Sequence, residues 1–244
     1  MLNKIPVGIS SCLLGELVRF DGAHKRDAYL VGTLSKYFEF HSFCPEVAIG
    51  LGIPRQPIHL VKVANEVRCV GVKEPTMDVT DRLKHYAHEQ KDIHASLCGY
   101  ILKKDSPSCG MERVKVYSGH QPHREGFGIY AQEMMKNNPL LPVEEEGRLG
   151  DAGLRENFIQ RVYVFYRWKL LLAEGISPQK LTHFHARHKL IIMGHADYRE
   201  MGQLLAGLTK DNLLQVADQY ILQLMNTLKK VVSRSNHVNV LQHI

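Results

Sequence analysis

IPVGISSCLLG, residues 5–15, decides how the rest of the chain is read. Its first half is apolar and β-branched, the mark of a buried strand, and its second half is a turn of Ser and Gly around Cys12. The same pattern returns twice. FEFHSF (38–43) alternates as a strand should and runs into Cys44 in FCPE, and GYILKK (99–104) is a strand that leads to Cys109 in SPSCG. Between these strands the spacing predicts a helix over 27–37, with Asp27 as its N-cap, and a long amphipathic helix over 77–97. PIHLVKV and EVRCVGV, separated by Ala64 and Asn65, predict a hairpin with a two-residue turn. A helix over 126–137 and a strand over 140–145 complete the set. Strands alternating with helices predict an α/β fold: a Rossmann-like, mostly parallel sheet flanked by helices.

The pattern changes at EEEGRLGDAGLREN (144–157), where glycine and charge cluster and the strand signal stops. A boundary at about residue 148 divides a domain 1–147 from an all-α domain 148–244. Helices are expected over 155–175, 177–195 (Ser177 as N-cap, Pro178 first in the helix), 198–208 and 211–234 (capped by Asp211). Hydrophobic residues make up 44% and charged residues 23% of the 244, ordinary values for a globular protein. No apolar run is long enough for a transmembrane helix, so a cytoplasmic protein with no membrane partner is expected. In that compartment its five cysteines stay reduced, and their odd number argues against a disulfide framework. The net charge of +6 is uneven. Residues 1–147 carry 18 Lys and Arg against 18 Asp and Glu, whereas residues 148–244 carry 13 against 7. A basic module beside a neutral one points to a polyanion such as nucleic acid, or simply to an Arg-rich solvated surface.

Cys12, Cys44 and Cys109 each follow a strand, in turns rich in Ser, Pro or Gly. In an open α/β sheet the carboxyl ends of the strands share one edge, which carries the ligand crevice. Positions far apart in sequence therefore converge. Three thiolates in one crevice repel unless a soft metal centre neutralises them. A structural zinc site takes four ligands, usually in close CxxC pairs, and no CxxC occurs. Three thiolates with no clear fourth suit a 4Fe–4S cluster with one open iron. Three buried packing cysteines are the plainer alternative. Cys69, inside EVRCVGV, and Cys98, in SLCGY, read as packing residues.

Three strings, SSCLLG-x-x-VRFDG-x-x-KRD, CPE-x-x-x-GLG-x-PR and LKKDSPSCG, resemble the TudS-type desulfidases over about residues 5–145. KLTHFHARHKLIIMGHADYREMGQLLAG resembles the helical YbgA-type domain. The fusion resembles the RudS-type proteins, which remove sulfur from 4-thiouridine in tRNA. In that family the helical domain runs on past the position matching Ile244. The resemblance implies a 4Fe–4S cluster on Cys12, Cys44 and Cys109, hydrolytic exchange of C=S for C=O, release of sulfide, and RNA held by the helical domain.

Chemistry then suggests roles. Glu46, two residues past Cys44, enters the crevice as general base for the attacking water. The plain alternative is an exposed turn glutamate. Ser106 and Lys104 flank the Cys109 loop as donors to the intermediate. Ser108 contacts substrate or a cluster sulfur, or caps a turn. Arg19, Asp21, Lys25 and Arg26 grip ribose or phosphate, or form a charged turn at Asp21-Gly22. Arg55 binds phosphate or braces its loop. The histidines of HFHARH (His183, His185, His188) lack a carboxylate to complete a metal site. A basic face with Arg187 and Lys189, or helix packing, explains them better. Tyr163, Tyr166 and Trp168 read as core.

The expected activity is thus an iron–sulfur desulfidase of 4-thiouridine in tRNA. The nearest alternative is a desulfidase of free thiouracil or thiouridine monophosphate. A non-enzymatic RNA-binding protein with a structural metal, or a zinc protein, stands in another class.

Overall fold

The computed structural model describes residues 4–119 and 121–231. The strands are β1 (Ile5–Ser10), β2 (Phe38–Phe43), β3 (Ile58–Val63), β4 (Glu66–Gly71), β5 (Tyr100–Leu102), β6 (Val114–Ser118), β7 (Gln121–Gly126) and β8 (Val143–Glu145). The helices are α1 (Ala28–Gly32), α2 (Pro45–Ala48), α3 (Thr80–Glu89), α4 (Lys91–Ser96), α5 (Ile129–Asn137), α6 (Ala152–Ala173), α7 (Pro178–Ile192), α8 (Tyr198–Ala206) and α9 (Leu213–Leu228). The chain forms two compact units that divide between Gly150 and Asp151.

The first unit is α/β, with helices flanking two four-stranded sheets. One sheet, in the order β2-β1-β5-β8, is parallel throughout. Its central strand β1 is buried, with Val7 and Ile9 fully enclosed, as a strand covered on both faces must be. Gly8 pairs with Tyr100 across β1 and β5, and a Cβ on Gly8 would come within 2.6 Å of the Tyr100 ring. Only glycine admits that ring. Phe43, His94, Tyr100 and Tyr130 then pack edge to face or tilted, tying β2, α4, β5 and α5 into one core.

The second sheet, β4-β3-β6-β7, is mixed. Its β3–β4 hairpin turns through Ala64 and Asn65, with Ala64 at φ 52. The β6–β7 hairpin has no counterpart in the apolar pattern. QPHREG is exposed from Gln121 to Glu125 and contains a proline, so β7 is an edge strand defined by its partner.

Local spacing also misses breaks. It predicts one helix over 77–97, but α3 and α4 part at Gln90. The inward positions Leu83, Tyr86, Ala87 and His94 keep helical spacing across that break, so pattern alone cannot see it. The predicted helix 27–37 is α1 followed by a 3-10 turn at 34–36. Asp27 does cap it, accepting the Leu30 N–H at 2.9 Å.

The second unit is helical. Asp151 caps α6 by accepting the Leu154 N–H, and Ser177 caps α7 with Pro178 in its first turn. Asp211 is not the cap of the last helix. α9 starts at Leu213, after Asn212 and Thr209 exchange hydrogen bonds of 2.8 and 3.3 Å. The predicted end of that helix, at 232–234, lies outside the described residues. Phe158, Trp168, Phe184, Tyr220 and Leu224 form its core. Among the described residues no helix is long and apolar enough to cross a membrane.

Candidate functional site

Strands β2, β1 and β5 are neighbours and parallel, so their carboxyl ends share one edge. Cys12 lies in a 3-10 turn directly after β1. Cys44 follows β2 and precedes Pro45, the first residue of α2. Cys109 sits in the loop after β5. All three line one cavity of about 350 Å³. Glu46, Ser106, Ser108, Lys104, Arg55, Arg19 and Lys25 line it too. Asp21 and Arg26 do not.

The Cys109 loop is held from three sides. Ser106 Oγ accepts the N–H of Cys109 at 3.1 Å and that of Ser108 at 3.4 Å. The start of α5 bonds the loop's carbonyls, Ile129 to Pro107 and Ala131 to Ser108. Gly128 donates to Gly110 at 2.8 Å, and a Cβ on Gly128 would stand 2.6 Å from the backbone of both Ser108 and Gly110. From β7, Arg124 bonds Asp105 at 2.7 Å, where Asp105 takes φ 59. The unpredicted hairpin thus helps hold the cysteine in place.

None of the three thiols is in a disulfide. Burial pushes Cys12 up to about 11, against the opposing charge of Lys103, and Cys44 adds to the rise. Burial likewise raises Cys44 and, most of all, Cys109. Charge on any one of the three disfavours charge on the others, because Cys44 acts on Cys12 and both act on Cys109. Such thiols hold their protons at neutral pH until a cationic centre replaces them. Among the described residues no three His, Cys, Asp or Glu side chains close round a single metal ion. Three thiols spread round a cavity instead fit a larger group, since an iron–sulfur cube sets its thiolates at separate corners.

Glu46 sits on this wall, held at both oxygens. Oε1 accepts from Ser108 Oγ at 2.6 Å, and Oε2 accepts from Arg55 Nε at 3.0 Å and Nη2 at 2.8 Å. Ser108 Oγ is also 3.5 Å from Cys109 Sγ and 3.0 Å from Ser106 Oγ. One hydroxyl therefore links the carboxylate to a thiol. Arg55 donates further to Val18 O and Gly52 O, each at 2.9 Å. All three of its nitrogens face protein acceptors, an arrangement that braces its loop and orients Glu46.

Cations gather at the mouth. The Arg19 guanidinium stands over the exposed Phe20 ring, and its Nε, 3.5 Å from Asp21 Oδ1, makes no hydrogen bond among the described residues. Lys103 lines the cavity beside Lys104, pairs with Glu146, and is the cation that most opposes the Cys12 rise. It was legible in LKKDSPSCG only as Lys104's neighbour. Ser10 and Ser11 also line the cavity, and Ser10 Oγ accepts the Lys103 N–H at 3.0 Å. Asp21 forms a turn: it accepts the Ala23 N–H at 3.1 Å, and Gly22 takes φ 74. That bond holds its carboxyl below the usual range.

The histidines of α7 have separate duties. His188 is buried against Phe184, His185 Nδ1 is 3.2 Å from the Tyr220 hydroxyl, and His183 is exposed. Trp168 is buried in the core.

Comparison with known proteins adds four likenesses. The family model described as 2-thiouracil desulfurase matches residues 7–146, more than half of the chain. A second family, described as a protein of unknown function (DUF1722), matches residues 189–244. "Uncharacterized protein YbgA" of Escherichia coli (strain K12) is 26% identical over 87 residues, 34% of this chain and 52% of that protein. The chain thus spans about half the length of that relative. A solved structure of a 4Fe–4S-dependent thiouracil desulfidase, TudS, is 27% identical with a TM-score of 0.49, covering 60% of this chain and 94% of that one.

Proposed function

The chain belongs to the 2-thiouracil desulfurase family, and from that premise we propose that it is an iron–sulfur desulfidase acting on 4-thiouridine in tRNA. The observation that carries the reading is the gathering of Cys12, Cys44, Cys109 and Glu46 on one cavity. A four-iron cluster held by the three thiolates would supply, when bound, a Lewis-acidic iron suited to a soft thiocarbonyl sulfur. The chain's own side chains do the rest. Arg55 occupies Glu46 Oε2 and leaves Oε1 as the atom that takes the proton of an attacking water. Ser108, already bonded to Oε1, carries a proton between Glu46 and the cavity. Ser106 and Lys104 donate to the oxygen that the water brings in, and Arg19 and Lys25 draw a phosphate to the mouth. One water enters, the thiocarbonyl becomes a carbonyl, and hydrogen sulfide leaves with no net oxidation or reduction.

The basic excess after residue 147 supports RNA as the carrier of the thiolated base. A free thiouracil or thiouridine monophosphate is the second reading, favoured by a cavity within the range of small-molecule sites. The deciding experiment measures sulfide release after anaerobic reconstitution with iron and sulfide, from 4-thiouridine-containing tRNA and from the free nucleotide. Turnover of the nucleotide alone removes the RNA assignment. Silence with both substrates, with iron bound, leaves a structural metal in a non-enzymatic protein. Zinc in protein purified anaerobically removes the cluster.

A further inference from the structure

Helices α6 and α7 enclose a second cavity, of about 420 Å³, wholly inside the helical unit. From α6 it takes Arg167, Leu170, Leu171 and Glu174, which share one face at spacings of three and four. From α7 it takes His183 and Arg187 one turn apart, with Phe184 and His188 beside them. Among the described residues no carboxylate pairs with Arg167 or Arg187. Glu174 lines the cavity without reaching either. Lys180 is already committed, its ammonium bonded to the carbonyls of Glu174 and Gly175 at 2.8 and 2.9 Å. The half-buried Arg167 is thus left beside the exposed Arg187 with no counter-charge, an arrangement that an anion at the cavity would relieve.

One of the pair is deliberately aimed. His188 is buried, and its Nδ1 lies 2.7 Å from Phe184 O. A carbonyl only accepts, so Nδ1 carries the proton and Nε2 is the acceptor. That Nε2 is 3.4 Å from Arg167 Nη1. Burial and the neighbouring Arg187 both press Arg167 below its usual range. Leu170, Leu171 and Phe184 form an apolar wall beside it.

We propose that this cavity is a nucleotide-phosphate site: Arg167 and Arg187 hold the phosphate, and the apolar wall takes the attached nucleoside. The phosphate comes either from a free nucleotide or from a link in an RNA strand. The site stands on its own geometry and does not depend on the chemistry at the cysteine cavity.

The chain's single tryptophan reports on it, because Trp168 packs against Phe184 at 5.4 Å between ring centroids. Full-length protein is titrated with uridine, uridine 5′-monophosphate and a short sulfur-free oligouridine, following Trp168 emission with calorimetry in parallel. The monophosphate or the oligonucleotide should bind saturably and weaken with salt. Arg187→Gln, at an exposed position, should weaken that binding about tenfold or more, and Arg187→Lys by less. Preference for the oligonucleotide identifies a strand as the source, and preference for the monophosphate a free nucleotide. Equal binding of uridine and its monophosphate would overturn the anion assignment. So would absent binding, or affinities that Arg187→Gln and Arg167→Gln leave unchanged.

Discussion

The cysteine cavity and the α6–α7 cavity are built by opposite means. The first collects residues 12, 44, 46 and 109 from the segments that follow three parallel strands, and loops and hairpins from elsewhere hold them in place. The second is assembled from two consecutive helices, with its residues at spacings that any helix provides. The first unit is close to neutral in charge and concentrates protonated thiols, while the second carries most of the positive excess. A sheet edge can bring chemically distinct groups from distant sequence to one point, which suits bond breaking. A helix pair repeats one kind of group along a face, which suits holding a charged ligand.

The sharpest way to break this comparison is at a thiol. Cys109→Ser should lose iron after reconstitution and lose sulfide release altogether, while nucleotide-induced changes in Trp168 emission stay as in the wild type. Iron analysis and the emission titration check both halves, and retained activity would remove the cluster. Next comes Glu46→Gln. It keeps the shape of the side chain and removes the proton acceptor, so sulfide release should fall by roughly 10²- to 10⁴-fold with iron content unchanged. Unchanged turnover would mean that another group takes the proton.

The third test separates bracing from binding. Arg55→Ala leaves the Glu46 carboxylate and the Val18 carbonyl without their partner in a mostly buried setting. Loss of one member of such a pair costs about 3–5 kcal/mol, which urea unfolding would register. Loss of phosphate affinity at unaltered stability would instead restore Arg55 as a substrate contact.

The fourth is a pH effect at His94, in the core of the α/β unit. Burial pushes His94 down to about 4, with its Nε2 2.7 Å from the Tyr130 hydroxyl. The unfolded chain takes up this proton near pH 6.5, and the folded chain only near 4. Stability is therefore full above pH 6.5 and falls as pH drops toward 4, by up to about 3 kcal/mol. Urea midpoints at pH 7.5 and 5 should show the loss, and His94→Gln should flatten it. The smallest effect is expected at Arg26→Ala and Asp21→Ala. Both lie outside the cavity, so turnover should stay within about threefold of wild type and stability within about 0.5 kcal/mol.

Much of the first cavity was legible because its cysteines share a local grammar. Each ends a strand, and a parallel sheet turns that into a common edge. The β3–β4 hairpin was equally visible in alternation around Ala64 and Asn65. The β6–β7 hairpin was not, because an exposed polar edge strand carries no apolar period. Lys103 and Ser10 escaped for a different reason: their roles are contacts with residues many positions away. Arg55 was correctly placed near the site, but its sequence left brace and phosphate contact equally open.

The amino-acid sequence by itself determined which elements bury apolar faces, where the strands end and where the charge accumulates. These follow from period, propensity and composition, which are local or additive. The tertiary structure alone decided how donors are shared: that Arg55 spends its guanidinium on Glu46, that Ser108 joins that carboxylate to a thiol, and that Arg167 and Arg187 line one cavity with no carboxylate paired to them among the described residues. Such pairings depend on angles and distances of a few ångströms between chain-distant groups. No one-dimensional pattern records them.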